Sequence, residues 1–247
     1  MIFEELNPLD IAKRSRLYHL PPIANGTSCA EGLISYICRL SEAHCVSPGI
    51  LLKKEILPVF RKNYSISFGG AYAIQVDGHG VSVSSVAKPI YRKNPNEYGL
   101  LAWQYLEGLK LLTLRADLQE LIIPINLSLI LEGVAEQELG RDLRAWCPEC
   151  FQAWRTVGHP LYEPLLWSIA AITVCPYHYK PLQLRCPHCR KSQRPLTSRT
   201  RIARCSQCFE WLDVRAAPAS ETEILIAMQL EQHLEIAERV MRFMNLG

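Results

Sequence analysis

At 247 residues, with 49% hydrophobic and 21% charged side chains, the chain can bury a core and is neither fibrous nor disordered in composition. No apolar run approaches the roughly 18 to 20 residues of a membrane-spanning helix, and Met1–Asp10 lacks a cationic-then-apolar leader, so the cytoplasm is the expected compartment. The net charge of +3 hides an asymmetry: residues 141–215 hold 12 of the 27 cationic side chains against 5 of the 24 acidic ones, which places any general affinity for anions there.

Residues 1–22, with Pro8, Pro21 and Pro22 among mixed charges, read as a lead-in arm. Ser28 and Glu31 have capping-box spacing, and Leu33, Ile34, Ile37 and Leu40 then recur at helical intervals, which predicts a helix over about 29–43. Ser47-Pro48-Gly49 marks a turn and a fresh N-cap for a second helix over about 50–60, so that about 28–62 has the form of a helix-turn-helix. Cys29, Cys38 and Cys45 are widely spaced in this apolar stretch and read as small core hydrophobes. Between 67 and 88, Gly69-Gly70 and Asp77-Gly78-His79-Gly80 are turn signals for a loop-rich insertion or short hairpin. Helical periodicity returns over 98–112 with Leu101, Tyr105, Leu109 and Leu112, followed by short helices over 116–122 and 127–139 broken at Pro124.

Seven of the ten cysteines lie between Cys147 and Cys208, and in a reducing compartment regular pairs favour metal ligation over disulfides. Four half-sites occur in order: Cys147-Pro-Glu-Cys150, Cys175-Pro-Tyr-His178, Cys186-Pro-His-Cys189 and Cys205-Ser-Gln-Cys208. Pairing neighbours gives C-x2-C-x24-C-x2-H and then C-x2-C-x15-C-x2-C, the latter within the range of a four-cysteine zinc ribbon. Spacing also permits an interleaved pairing of first with third and second with fourth, although the sequential one needs fewer chain crossings. His159 and His188 read as surface or packing histidines. Either pairing supplies four ligands to each of two Zn2+ ions, and such closed sites are structural, since catalytic zinc keeps a position open to water. No P-loop, Gly-x-Ser-x-Gly elbow, dinucleotide fingerprint, His-Glu-x-x-His or deaminase-type His-x-Glu is present, which argues against an enzyme.

From Lys180 to Arg204 eight cationic residues occur with no acidic one. Arg185, Arg190, Lys191, Arg194, Arg199, Arg201 and Arg204 are thus either a phosphate-contacting face or a solvated loop that offsets the charge of the thiolates. Beyond them, Pro218 and the capping-box pair Ser220 and Glu223 lead into a terminal helix. Its apolar stripe of Ile224, Leu225, Met228, Leu234, Ala237, Val240, Met241 and Met244 either closes on the body or meets a partner. The expected architecture is mainly α with small β: an N-terminal helical domain with a helix-turn-helix (1–140), tandem zinc-binding units of ribbon or knuckle type (141–215) and a C-terminal helix (216–247).

The chain resembles the TniQ family of transposition target-selection proteins. The likeness rests on Asp142-Leu143-Arg144-Ala145-Trp146-Cys147-Pro148-Glu149-Cys150, on Trp154-Arg155, on Leu166 to Ile169, on Cys175-Pro176-Tyr177-His178 with Leu182, and on Cys186-Pro187-His188-Cys189. It extends to Glu31, Leu33, Ser35, Tyr36, Arg39 and Leu40 and loosely to Leu114 to Leu121, leaving the stretch from Gly69 to Asn96 unmatched. The resemblance implies a bacterial, non-enzymatic adaptor that bridges a target-marking device to the AAA+ ATPase recruiting a transposase. Because the chain stops soon after its zinc units, it is similar to the short members that dock onto an RNA-guided CRISPR effector, Cascade-type or single-protein, with its guide RNA. DNA or RNA contact and a homodimer remain open on these grounds. The rival reading is a sequence-specific DNA-binding regulator acting directly on a target site.

Overall fold

The computed structural model describes residues 14–59, 73–77, 80–84, 94–97, 99–131, 134, 139–215, 225–226 and 228–245. Helices dominate, joined by small two-stranded sheets: α1 (Leu33–Ala43), α2 (Pro48–Leu51) running on as a π-helical turn (Leu52–Ile56), β1 (Ala73–Asp77), β2 (Gly80–Ser84), α3 (Leu100–Thr113), α4 (Pro148–Thr156), β3 (Val174–Cys175), β4 (Lys180–Pro181) and α5 (Leu230–Met244). Single 3-10 turns at Leu118–Leu121, Ile125–Leu129 and Leu165–Ser168 punctuate the connections.

Helix α1 organises the packing because it is apolar on two sides. Ile34 and Cys38 join a core with Trp146, Phe151, Trp167 and the buried cysteines of the metal-ligand region. Leu33, Tyr36, Ile37 and Leu40 join a second core with Ile56, Leu109, Leu118 and Leu121. Gly108 lets α3 lie against the π-helical turn, since a Cβ there would stand 2.7 Å from Ile56 Cγ2 and 2.9 Å from the Ile56 carbonyl oxygen.

The start of α1 differs from the capping box expected of Ser28 and Glu31. Gly32 is the N-cap residue, and no side-chain bond caps it locally. Instead Asn96 Oδ1 accepts the Ile34 N–H at 2.8 Å, supplying from a distant loop the acceptor that a free helix end needs. Gly32 permits this approach, because a Cβ there would lie 2.8 Å from Asn96 Nδ2. Glu31 is diverted inward: its buried carboxylate pairs with Arg39 and accepts from Ser35 Oγ at 2.6 Å and from the Ile23 amide at 3.3 Å.

Ser47 does cap α2, accepting the Ile50 N–H at 3.3 Å with Pro48 in the first turn, and the helical path runs to Val59. Two predicted helices shorten. Over 116–122 only Leu118–Leu121 is helical, because the chain is then drawn extended by the Ile123 N–H donating to Asn96 O at 2.7 Å. Over 127–139 the turn covers Ile125–Leu129, where Ser128 Oγ donates to Ile125 O and so competes with a longer helix; residues 132–133 and 135–138 lie outside the described residues. The predicted short hairpin is present as two antiparallel strands in which Asp77 faces Gly80; residues 78–79 lie outside the described residues. Of the three isolated cysteines only Cys38 is core. Cys29 is half-buried against Tyr177, and Cys45 is exposed because it terminates α1 in a left-handed turn at φ 55.

At the other end, α5 lies on the body through buried Ala237 and Val240, and Asn245 Oδ1 accepts the Ser28 N–H at 2.6 Å. Leu225 and Met228, just before α5, remain exposed. The capping pair Ser220 and Glu223 and the start of the stripe, Ile224, fall outside the described residues. Among the described residues no helix is long and apolar enough to cross a membrane.

Candidate metal centres

The four half-sites come together in sequential order. Cys147, Cys150, Cys175 and His178 form one group and Cys186, Cys189, Cys205 and Cys208 another, with the ligand atoms of each within 4.8 Å of one another. His159 and His188 are exposed and belong to neither.

Two kinds of local structure present these side chains. Cys147 is the N-cap residue of α4 and Cys150 sits in its first turn, with Pro148 fitting a position whose N–H would go unused. Two thiols therefore converge on the positive end of a helix. The other three half-sites are tight knuckles, each closed by a left-handed residue just after its second ligand: Tyr179 at φ 52, Arg190 at φ 61 and Phe209 at φ 65. In each, that residue's N–H returns to the carbonyl of the first cysteine, at 2.8, 3.0 and 3.0 Å for Cys175, Cys186 and Cys205. Proline follows the first cysteine in every half-site except the last, and there Ser206 uses the N–H that proline lacks. Its amide and hydroxyl both donate to buried Gln193 Oε1, at 2.8 and 2.6 Å, tying the two knuckles of the second group together.

The geometry fits a tetrahedral ion. With metal–sulfur bonds of about 2.3 Å and metal–nitrogen bonds of about 2.0 Å, a tetrahedron has sulfur–sulfur edges of about 3.8 Å and sulfur–nitrogen edges of about 3.5 Å. The Cys150–Cys175 sulfurs are 3.6 Å apart, and His178 Nδ1 lies 3.5, 3.3 and 3.6 Å from Cys147, Cys150 and Cys175. In the second group Cys186–Cys208 and Cys189–Cys205 are each 3.7 Å apart. All ten cysteines are free thiols.

Protonation points the same way. Hydrogen bonds from Cys147 and Cys150 pull the Cys175 thiol down to about 2, while bonds with Cys147 and Cys175 drive Cys150 upwards. Thiols crowded in this way resist ionising together, and a cation between them is what would let them all do so. At Cys205 burial opposes ionisation, but the amides of Cys208 and Gln207 outweigh it and bring the thiol to about 7. Both groups could hold a metal ion with no coordination position left over.

Sequence reasoning missed the clasps around these groups. Glu149, inside the first half-site, lies 3.3 Å from Cys147 Sγ and accepts from Nε and one terminal nitrogen of Arg215, each at 2.7 Å, while Arg215 also donates to Pro181 O. Burial alone would raise the Glu149 carboxyl, but the Arg215 bonds overcome it and hold it at about 2. Buried Arg144 pairs with Glu163 and donates to the carbonyls of Arg204 at 2.8 Å and Arg201 at 3.0 Å, so it pins the second group to the first. Spacing rules flag no single arginine of this kind, although Arg144 and Glu149 both lie in the run that suggested the family.

The sequence model of the TniQ family matches residues 22–182, well over half of the chain. The chain belongs to the TniQ family. No curated protein gives a significant match. Membership assigns this TniQ-family protein a role in transposition, in a family of targeting proteins that are typically non-catalytic. The match takes in α1, Arg144, Glu163 and the whole first ligand group and ends before Cys186. Of the predicted cationic face, Arg185, Arg190, Lys191, Arg194 and Arg199 are exposed, whereas Arg201 and Arg204 are half-buried. Arg204 lies over the Trp211 ring at 3.6 Å and Arg199 over Phe209 at 4.4 Å.

Proposed function

We propose that the chain is a non-enzymatic adaptor in transposon target-site selection, linking an RNA-guided CRISPR effector with its guide RNA to the AAA+ ATPase that recruits the transposase. The observation that carries this reading is the family match across residues 22–182. Two structural Zn2+ ions belong to it, one on Cys147, Cys150, Cys175 and His178 and one on Cys186, Cys189, Cys205 and Cys208. The four-donor sets support a structural role, because a metal so enclosed has no site for water or substrate. The division into a helical unit (1–140), a zinc-bearing unit (141–215) and a terminal helix (216–247) is proposed with it, the α1–α2 pair serving as the helix-turn-helix that meets the ATPase. Co-purification tests the adaptor role: tagged chain expressed with the ATPase and effector of its own locus is expected to retain both. Recovery of neither, from protein with a full complement of zinc, would refute it.

A second reading, direct sequence-specific binding to a DNA target site, is favoured by the exposure of Arg185, Arg190, Lys191, Arg194 and Arg199 on one zinc unit. Tight, salt-sensitive binding of the purified chain to one duplex sequence, with no effector present, would select it over the adaptor.

A further inference from the structure

Between α1 and the second cysteine group lies an open cavity of about 740 Å³, within the size range of small-ligand sites. Arg39 and Glu42, one turn apart on α1, form one wall, and Arg201, Arg204, Phe209 and Trp211 from the second group form the other. Arg39 is committed to Glu31. Arg201 and Arg204 are less committed: both lend their charge to Glu42 across the cavity, but among the described residues neither closes an ion pair, and their side chains donate to the carbonyls of Thr200 and Phe209, each at 3.1 Å. Two half-buried guanidiniums thus keep donors for an anion.

The aromatic component narrows the anion. The Phe209 ring is 43% exposed at the cavity edge and carries the Arg199 guanidinium 4.4 Å from its centroid. The Trp211 ring lies under Arg204 at 3.6 Å and Arg155 at 4.3 Å. Guanidinium next to aromatic face is the surface on which an unpaired base stacks while its phosphate is held. Glu42 separates this ligand from an acidic peptide. The Glu42 carboxylate is an acceptor that the exocyclic amine of a base satisfies and that the carboxylates of an acidic peptide do not. Exposed Arg190, Lys191 and Arg194 on the same unit continue the positive charge for neighbouring phosphates.

We infer that this cavity binds an unpaired nucleotide of a single-stranded nucleic acid, its phosphate on Arg201 and Arg204, its base against Phe209 and an exocyclic amine on Glu42. The inference stands on the cavity's side chains and is independent of the adaptor reading.

The test is fluorescence anisotropy with a labelled mixed-sequence single strand of roughly 12 nucleotides, as RNA and as DNA, against a duplex of equal length and an acidic peptide. Phe209→Gly removes the ring and relaxes the left-handed backbone at φ 65, so it should fold at least as well as the parent. It is expected to weaken single-strand binding about tenfold, as is Arg201→Ala, with zinc content unchanged. Photocrosslinking of an iodouridine-bearing strand to the unaltered protein should map to Phe209 or Trp211, a readout that needs no variant. Preference for the duplex or the peptide, crosslinks confined to other surfaces, undiminished binding by Phe209→Gly, or no binding by the zinc-replete protein would each overturn the inference.

Discussion

Removing the Arg144 side chain should loosen the second ligand group from the first. Arg144 is 3% exposed and its partner Glu163 13% exposed, so Arg144→Ala strands a shielded carboxylate. It also deprives the Arg204 carbonyl of its donor and leaves the Arg201 carbonyl only the long bond from the Arg204 N–H at 3.4 Å. Breaking one side of a buried ion pair costs about 3 to 5 kcal/mol, and the orphaned Arg204 carbonyl adds about 1 kcal/mol where water cannot reach it. A loss of about 4 kcal/mol is therefore expected in urea unfolding of the zinc-loaded protein, a large part of a typical domain's stability. Arg144→Met with Glu163→Leu should cost less than Arg144→Ala alone, because no charge is left unpaired. Hydrogen exchange should quicken most around residues 201–206. A loss below about 1 kcal/mol for Arg144→Ala would refute the clasp, as would a double variant no better than the single one.

Gly108→Ala forces a methyl against the Ile56 carbonyl, which cannot rotate away, and should cost about 1 to 3 kcal/mol in thermal unfolding. Arg190→Gly, by contrast, relieves a left-handed residue at φ 61 and should leave stability equal or raise it by about 0.5 kcal/mol, with metal content unaltered. Because Glu149 sits at about 2, below its ordinary 4.5, its contribution is complete at neutral pH and fades as pH falls from 4.5 towards 2. Glu149→Gln should therefore lower stability at neutral pH, where zinc stays bound, and urea unfolding there that shows no difference from wild type would count against the Arg215 pairing.

Much of the architecture was legible because its signals are local. Ser47-Pro48 marks the start of α2, Leu101 to Leu112 have helical period, and cysteine pairs two residues apart can form only a few backbone turns. What escaped was set by long-range contacts. Asn96, from 62 positions away, caps α1 and so displaces the apparent Ser28–Glu31 box, leaving Glu31 free to pair with Arg39 inside the protein. The two cysteine-rich groups that could hold a metal were readable from spacing, whereas the clasps around them were not: Arg144 reaches 60 residues to Arg204 and Glu149 reaches 66 to Arg215. The Arg39–Trp211 cavity is of the same kind, since neither wall carries a motif until α1 and the second group are brought face to face.

Metal content tests the central claim most directly. Protein purified under reduction and without added chelator should contain two zinc atoms per chain by elemental analysis. Stripping them should abolish the cooperative unfolding transition, since ligation supplies on the order of 10 kcal/mol per site. Substantially less than two zinc atoms per chain, or full retention of the folded state after their removal, would contradict the assignment of Cys147 to Cys208 as a pair of closed structural centres.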